Sequence, residues 1–122
     1  MSNHTCDAIV VACIDFRFQK YIRKFTDEHL SGKLFDLVGF AGASKELDTI
    51  MNQIDISARL HSINQVVLIH HEECGAYGAE STPERHAQDL QKAKDAILAR
   101  FPNMQVDLYY MKLDGTSEKI DQ

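Results

Sequence analysis

The chain lacks what several large classes of protein require. Basic residues are not in excess: 13 Lys and Arg stand against 18 Asp and Glu, for a net charge of -5, and the cations are scattered. A nucleic-acid footprint, which needs clustered positive charge, is therefore excluded. No apolar run approaches the ~20 residues of a spanning helix, so no membrane span is expected. The start, Met1-Ser2-Asn3-His4-Thr5, is polar and has no basic region leading into a long apolar stretch, which argues against a signal peptide. Cysteine is scarce and odd in number, at three. That fits a reducing compartment better than a disulfide scaffold, and the cytoplasm is the expected location. Internal repeats, low-complexity tracts and an interdomain linker are also missing. So are a C-x-x-C redox pair and the G-x-G-x-x-G spacing of a dinucleotide site.

What is present suits one soluble globular domain over residues 1–122, with 44% hydrophobic and 25% charged residues. Short apolar runs rich in Val and Ile read as strands at 7–13, 34–40, 65–71 and 105–113. Helical stripes lie between them. Phe18, Tyr21, Ile22, Phe25 and His29 mark a helix near 17–30, which Ser31-Gly32 ends. Leu47, Ile50, Met51, Ile54 and Ala58 mark a second, with Ser44 as its expected N-cap. Ala87, Leu90, Ile97, Leu98 and Phe101 mark a third, which starts at Thr82-Pro83 and stops at Pro102. The polar residues after 113 are expected to fray.

Strands alternating with helices imply an α/β fold in three layers, with a mostly parallel four-stranded sheet and helices on both faces. Right-handed crossovers and the commonest layout give strand order 2-1-3-4. Strands 1 and 3 are then neighbours, and the winding reverses between them. Ligand sites form at such a switch point, at the carboxyl ends of the strands.

Two motifs fall at that point. Cys13-Ile14-Asp15-Phe16-Arg17 follows strand 1, and His71-Glu72-Glu73-Cys74-Gly75 closes strand 3. Two thiolates and an imidazole, from Cys13, His71 and Cys74, make a soft-to-borderline set suited to Zn2+. A fourth position is left for Asp15, a water or a substrate, which is the pattern of catalytic rather than structural zinc. A carboxylate at Asp15 can ligate the metal or accept a hydrogen bond from water bound to it, and Arg17 can keep that carboxylate ionised. A Cys13 nucleophile ranks lower, because C-x-x-x-R is too short to wrap a phosphate. The Gly39–Ala43 turn reads either as a close approach of backbone to a ligand or as a plain tight turn. Phe16, Phe18, Phe40 and Tyr77 can line an apolar pocket. Glu72 and Glu73 read as surface carboxylates, Cys6 as a bystander, and His4, His29, His61 and His86 show no identifiable partner in the sequence.

At these residues the chain resembles the β-class carbonic anhydrases. Members carry Cys-x-Asp-x-Arg after the first core strand, His-x-x-Cys-Gly after the third, and an Ala-Gly turn after the second, here within Phe40-Ala41-Gly42-Ala43. The resemblance covers roughly residues 7–113. It implies a zinc-dependent lyase that hydrates CO2 to bicarbonate with zinc-bound hydroxide. Cys13, His71 and Cys74 would hold the metal and Asp15 with Arg17 would form the catalytic dyad. It also implies a homodimer or higher homo-oligomer. Two departures stand out. Gly39-Phe40 replaces an Arg-Asn pair frequent in the family, and only about six residues precede strand 1, where many members carry a helical arm. The alternatives are a zinc hydrolase of a related small molecule, such as carbonyl sulfide or carbon disulfide, and a zinc-binding homologue without activity.

Overall fold

Alternation along the two central strands decides how the layers stack. The computed structural model describes residues 3–120. Strand β1 (Ala8–Ala12) and strand β3 (Gln65–His71) are buried along their whole length. Ile9 and Val11 of β1 point to the same side as Val66 and Leu68 of β3. They meet helices α2 (Leu47–His61) and α3 (Pro83–Arg100) through Ile50, Ile54, Leu90, Ala93 and Ile97. Val10, Ala12, Val67 and Ile69 point the other way and meet helix α1 (Gln19–His29) through Ile22 and Phe25. Each strand is apolar on both faces because each face carries a helix layer. Fully burying one Ile or Leu contributes about 1.5–3 kcal/mol, so the two clusters are what hold the layers together.

Strands β2 (Phe35–Gly39) and β4 (Gln105–Met111) flank the central pair, and β1 pairs in parallel with β2 and β3, as β3 does with β4. The expected order 2-1-3-4 is present and is extended to β2-β1-β3-β4-β5. The addition is strand β5 (Ser117–Lys119), antiparallel to β4, so the sheet has five strands rather than four and its end does not fray. The last two residues of the polar tail, Asp121 and Gln122, lie outside the described residues. A turn accounts for β5. The Asp114 carboxylate accepts from the backbone N–H and hydroxyl of Thr116 at 2.9 and 2.7 Å, and Gly115 adopts φ +89°. The Asp-Gly pair in the sequence carries this signal.

Of three element starts, two differ from expectation and one agrees. Residues Phe16–Phe18 form a 3-10 turn ahead of α1, because Asp15 accepts the Arg17 backbone N–H. Thr82 caps α3 and Pro83 opens it, as expected. Ser44, however, does not cap α2. That helix starts from Glu46 without a side-chain cap, while Ser44 is buried with its hydroxyl 2.7 Å from His70 Nε2. A polar partner inside the fold outcompeted the helix end for that hydroxyl.

Gly115 tests the unforeseen hairpin. A Cβ there would collide with the Tyr21 ring at a φ that side-chain-bearing residues rarely adopt. Gly115→Ala is expected to lower stability by roughly 1–3 kcal/mol in a denaturant melt. An unchanged melt would mean that this turn is not as described.

Candidate metal centre

The register between β1 and β3 sets Ala12 beside Ile69, so the residues that leave the two strand ends enter the same space. Cys13 follows β1, His71 ends β3 and Cys74 follows a two-residue turn. All three are buried, and one donor atom from each lies within 4.8 Å of the others. Zinc bonds of ~2.0–2.3 Å place tetrahedral donors roughly 3.3–3.8 Å apart, so the three need to close by at most about 1–1.5 Å. The His71 ring stacks against Phe18 at 4.1 Å and sits 2.7 Å, through Nδ1, from the Glu72 carbonyl. Nδ1 therefore carries the proton and Nε2 presents its lone pair. Among the described residues Nε2 is a buried side-chain nitrogen without a hydrogen-bond partner. Leaving such a group unsatisfied costs about 1–3 kcal/mol, which a bound cation would offset. The donor set fits zinc.

Several backbone groups shape the sulfurs. The Gly42 N–H points at Cys13 Sγ at 3.4 Å. Gly42 has φ +80°, and a Cβ on it would lie 3.2 Å from that of Ala76, so the close approach requires glycine. The neighbouring Ala43 and, on the other segment, Glu73 also take positive φ, at 53° and 55°. Two non-glycine residues held in that region, one in each loop, mark a place where the fold maintains local strain. Burial pushes the Cys13 thiol up, but the His71 ring and the backbone groups of Gly42 and Asp15 outweigh it, and its pKa is lowered to about 7. Burial and the neighbouring Cys13 push the Cys74 thiol up.

Asp15 and Arg17 form a forked pair at the mouth of the cluster. Arg17 Nη2 and Nε donate to the two carboxylate oxygens at 2.8 and 3.1 Å, and the Arg17 backbone N–H adds a bond of 2.9 Å. These contacts hold the Asp15 carboxyl down at about 2, against partial burial that opposes them. The same guanidinium donates to the Glu73 carbonyl at 3.0 Å, so one side chain joins the loop after β1 to the loop after β3. Glu73 is thus more than a surface carboxylate. Asp15 Oδ2 is 3.9 Å from His71 Nε2, and Asp15 stands outside the three-donor cluster.

Behind Cys74 runs a buried polar chain that the sequence did not announce. The Cys74 N–H donates to Ser81 Oγ at 2.9 Å, and Ser81 Oγ lies 2.9 Å from His86 Nε2. His86 Nδ1 faces His70 Nδ1 at 2.9 Å, and His70 Nε2 faces Ser44 Oγ. Every link is satisfied when the protons run in one direction along the chain, from Ser81 through His86 and His70 to Ser44 or the reverse. It requires both rings to be neutral. Burial enforces that, lowering His70 to about 3 and His86 to about 4. His86 occupies the buried stripe of α3 beside Leu90, but its partners come from distant segments, so spacing alone could not reveal them. Phe16, expected to line a pocket, is instead 85% exposed, and Phe40 packs on the α2 and α3 side of the sheet.

Two thiols and an imidazole at the switch point of a parallel sheet make a candidate metal site in an α/β protein. A family model described as "Putative carbonic anhydrase" matches residues 3–121, and the chain belongs to that family. An uncharacterised protein of Rickettsia conorii is 36% identical to it over 131 residues, covering 92% of this chain and 70% of its own. In structure the chain is similar to the carbonic anhydrase of Streptococcus mutans, with TM-score 0.72 and 14% identity over 99% of this chain and 86% of that one. It is also similar to a tetrameric β-carbonic anhydrase of Sordaria macrospora, with TM-score 0.59 and 12% identity over 98% of this chain and 82% of that one. At such low identity these structures speak for the fold.

The metal-free centre can be titrated. With Cys6 and Cys74 replaced by Ser, thiolate absorbance from Cys13 is expected to rise with a midpoint near 7. His71→Phe removes the group that most favours the thiolate, so the midpoint should move up toward the ordinary value of 9.0. A midpoint indifferent to His71 would contradict the geometry given above.

Proposed function

We propose that this protein is a zinc-dependent lyase that hydrates CO2 to bicarbonate, with the chain acting as one β-carbonic-anhydrase-like domain. The observation that carries this reading is His71 Nε2, buried without a partner beside two thiols. Family membership supports it. Cys13, His71 and Cys74 would hold the ion, and the two thiolates balance its charge. Bound zinc supplies Lewis acidity and lowers the pKa of water to ~7, which makes a nucleophile available at neutral pH.

The chain's own residues do the rest. Asp15, ionised by its forked pair with Arg17, accepts a hydrogen bond from the attacking water and aims a lone pair at the carbon of CO2. Arg17 keeps Asp15 from turning inward and ties the two donor-bearing loops together. One C–O bond forms, the electrons of one C=O π bond of CO2 move onto oxygen to give bicarbonate, and the proton lost from the water passes to solvent buffer. Gly42 holds the Cys13 sulfur through its N–H.

Stopped-flow CO2 hydration by protein with a loaded centre tests the proposal. Asp15→Asn should keep the metal and lower turnover by roughly 100-fold or more. Cys74→Ser should weaken zinc binding by more than the roughly 10–100-fold typical of losing a group that only orients a ligand. A rate no greater than buffer would remove the proposal. Product assays with carbonyl sulfide and carbon disulfide would then separate a related hydrolase from an inactive zinc-binding homologue.

We also propose a homodimer or higher homo-oligomer. Strand β2 is an outer strand, and Leu37 on it is 59% exposed, with Ile14 and Phe16 nearby at 61% and 85%. An open strand edge beside exposed apolar side chains favours pairing with another copy. Light scattering at micromolar concentration is expected to give at least twice the chain mass of 13.8 kDa; a monomer would refute this. Among the described residues no helix is long and apolar enough to cross a membrane. With three free thiols, we place the protein in the cytoplasm, which cell fractionation would check.

A further inference from the structure

A second constellation lies at the opposite end of the sheet. Cys6 precedes β1, Asp36 sits near the start of β2 and His61 ends α2, and one donor atom from each lies within 4.8 Å of the others. The three come from separate segments that the fold ties together, since the Cys6 N–H donates to the His61 carbonyl at 3.0 Å. Six residues of largely extended chain lie between Cys6 and Cys13, so the two constellations are about 20 Å apart. Neither can contribute a ligand to the other.

We propose that Cys6, Asp36 and His61 form a second site for a divalent cation of the zinc class, which staples the segment ahead of β1 to β2 and to the end of α2. A thiolate, a carboxylate and an imidazole are borderline-soft donors, and the two anions balance the charge of the ion. A cation would take the place of the proton that His61 Nδ1 and Asp36 Oδ2 share at 2.6 Å. His61 Nδ1 and Asp36 Oδ2 would open from 2.6 Å to the roughly 3.3–3.8 Å between tetrahedral zinc donors, while the Cys6 sulfur, within 4.8 Å of both, would draw in. The His4 ring lies beside the group, its centroid 4.9 Å from that of His61. Ser57 donates to Asp36 Oδ2 at 2.6 Å, an outer contact that orients a ligating carboxylate. The Asp36 and His61 side chains remain 31% and 25% exposed, which leaves an entry path.

Charge supports the same assignment. Partial burial pushes the Asp36 carboxyl up, but Ser57 and His61 outweigh it and hold it below its ordinary value, ready as an anionic ligand. Burial and the Asp36 carboxylate push the Cys6 thiol up, so Cys6 gains nothing as a free nucleophile. Its thiol reaches the Ala8 carbonyl at 3.5 Å and also hydrogen-bonds Asp36. An ordinary Asp–His pair would need neither that thiol nor a second imidazole on its open side.

The site is independent of the function proposed above, and its test keeps the two apart. Full-length protein is stripped with chelator, dialysed against Zn2+ or Co2+ alone, and its bound metal counted by elemental analysis. Wild type is expected to bind two equivalents. The Cys13→Ser/Cys74→Ser double variant should keep one, and adding Cys6→Ser or His61→Ala should remove it. Ser57→Ala should weaken that equivalent by roughly 10–100-fold. Circular dichroism checks folding; if the double variant fails to fold, Cys6→Ser in the wild-type background should reduce two equivalents to one. No metal on the folded double variant, or metal that survives both Cys6→Ser and His61→Ala, would overturn the proposal.

Discussion

The in-register parallel pairing of β1 with β3 is the constraint from which the rest of the molecule follows. Both strands are buried from end to end, and a parallel ladder between two such strands has no freedom to slip. A shift of one residue would turn Ile9 and Val11 away from α2 and α3 and into the α1 layer. That same register ends the two strands side by side, with Ala12 opposite Ile69. Cys13 and His71 are neighbours because a hydrophobic ladder, at each end of which chemistry happens to sit, permits only one alignment. The helices then close both faces and exclude water from the donors.

Polar groups at the upper end of the sheet are arranged against the usual preference of a core. Two thiols and an imidazole nitrogen without a hydrogen-bond partner are crowded together in a buried space that a cation would suit. Among the described residues, no other buried side-chain nitrogen or oxygen lacks a hydrogen-bond partner. Arg17 spans two loops, Gln19 donates to the carbonyls of Cys13 and Asp15 at 3.1 and 2.9 Å, and a hydrogen-bonded chain runs from Cys74 through Ser81, His86 and His70 to Ser44. A satisfied surround holding an unsatisfied centre is what a preorganised binding site looks like physically. The positive φ angles of Ala43 and Glu73 belong to the same pattern, since strain persists only where neighbouring structure over-determines it.

The lower end of the sheet repeats the theme with fewer constraints. Cys6, Asp36 and His61 are half-buried rather than sealed, and their own hydrogen bonds already satisfy them in part. The upper constellation would present an open coordination position to a substrate. The lower one, with His4 beside it, would close around its ion. A single sheet can thus separate a reactive end from a fastening end by the length of its strands.

The main outline was legible in the sequence because it rests on local periodicities. Apolar runs in Val and Ile gave the four parallel strands, helical stripes gave the three helices, and the turn residues Thr82-Pro83 gave the start of α3. The two motifs were legible as well, since a Cys or a His-x-x-Cys at the end of a buried strand has few other reasons to be there. Other features depended on partners remote in the chain. Ser44 looks like a cap until His70 arrives to claim it. His86 looks like a helix residue until Ser81 and His70 meet it. Cys6 and His61 look solitary until β2 brings Asp36 between them, and the tail looks loose until the Asp114-Gly115 turn lays it against β4. Side-chain type and spacing determine which chemistry the chain carries and which elements display it. Only tertiary packing decides which donors share a few ångströms of buried space, because that distance is set by layers of hydrophobic side chains far from the donors themselves.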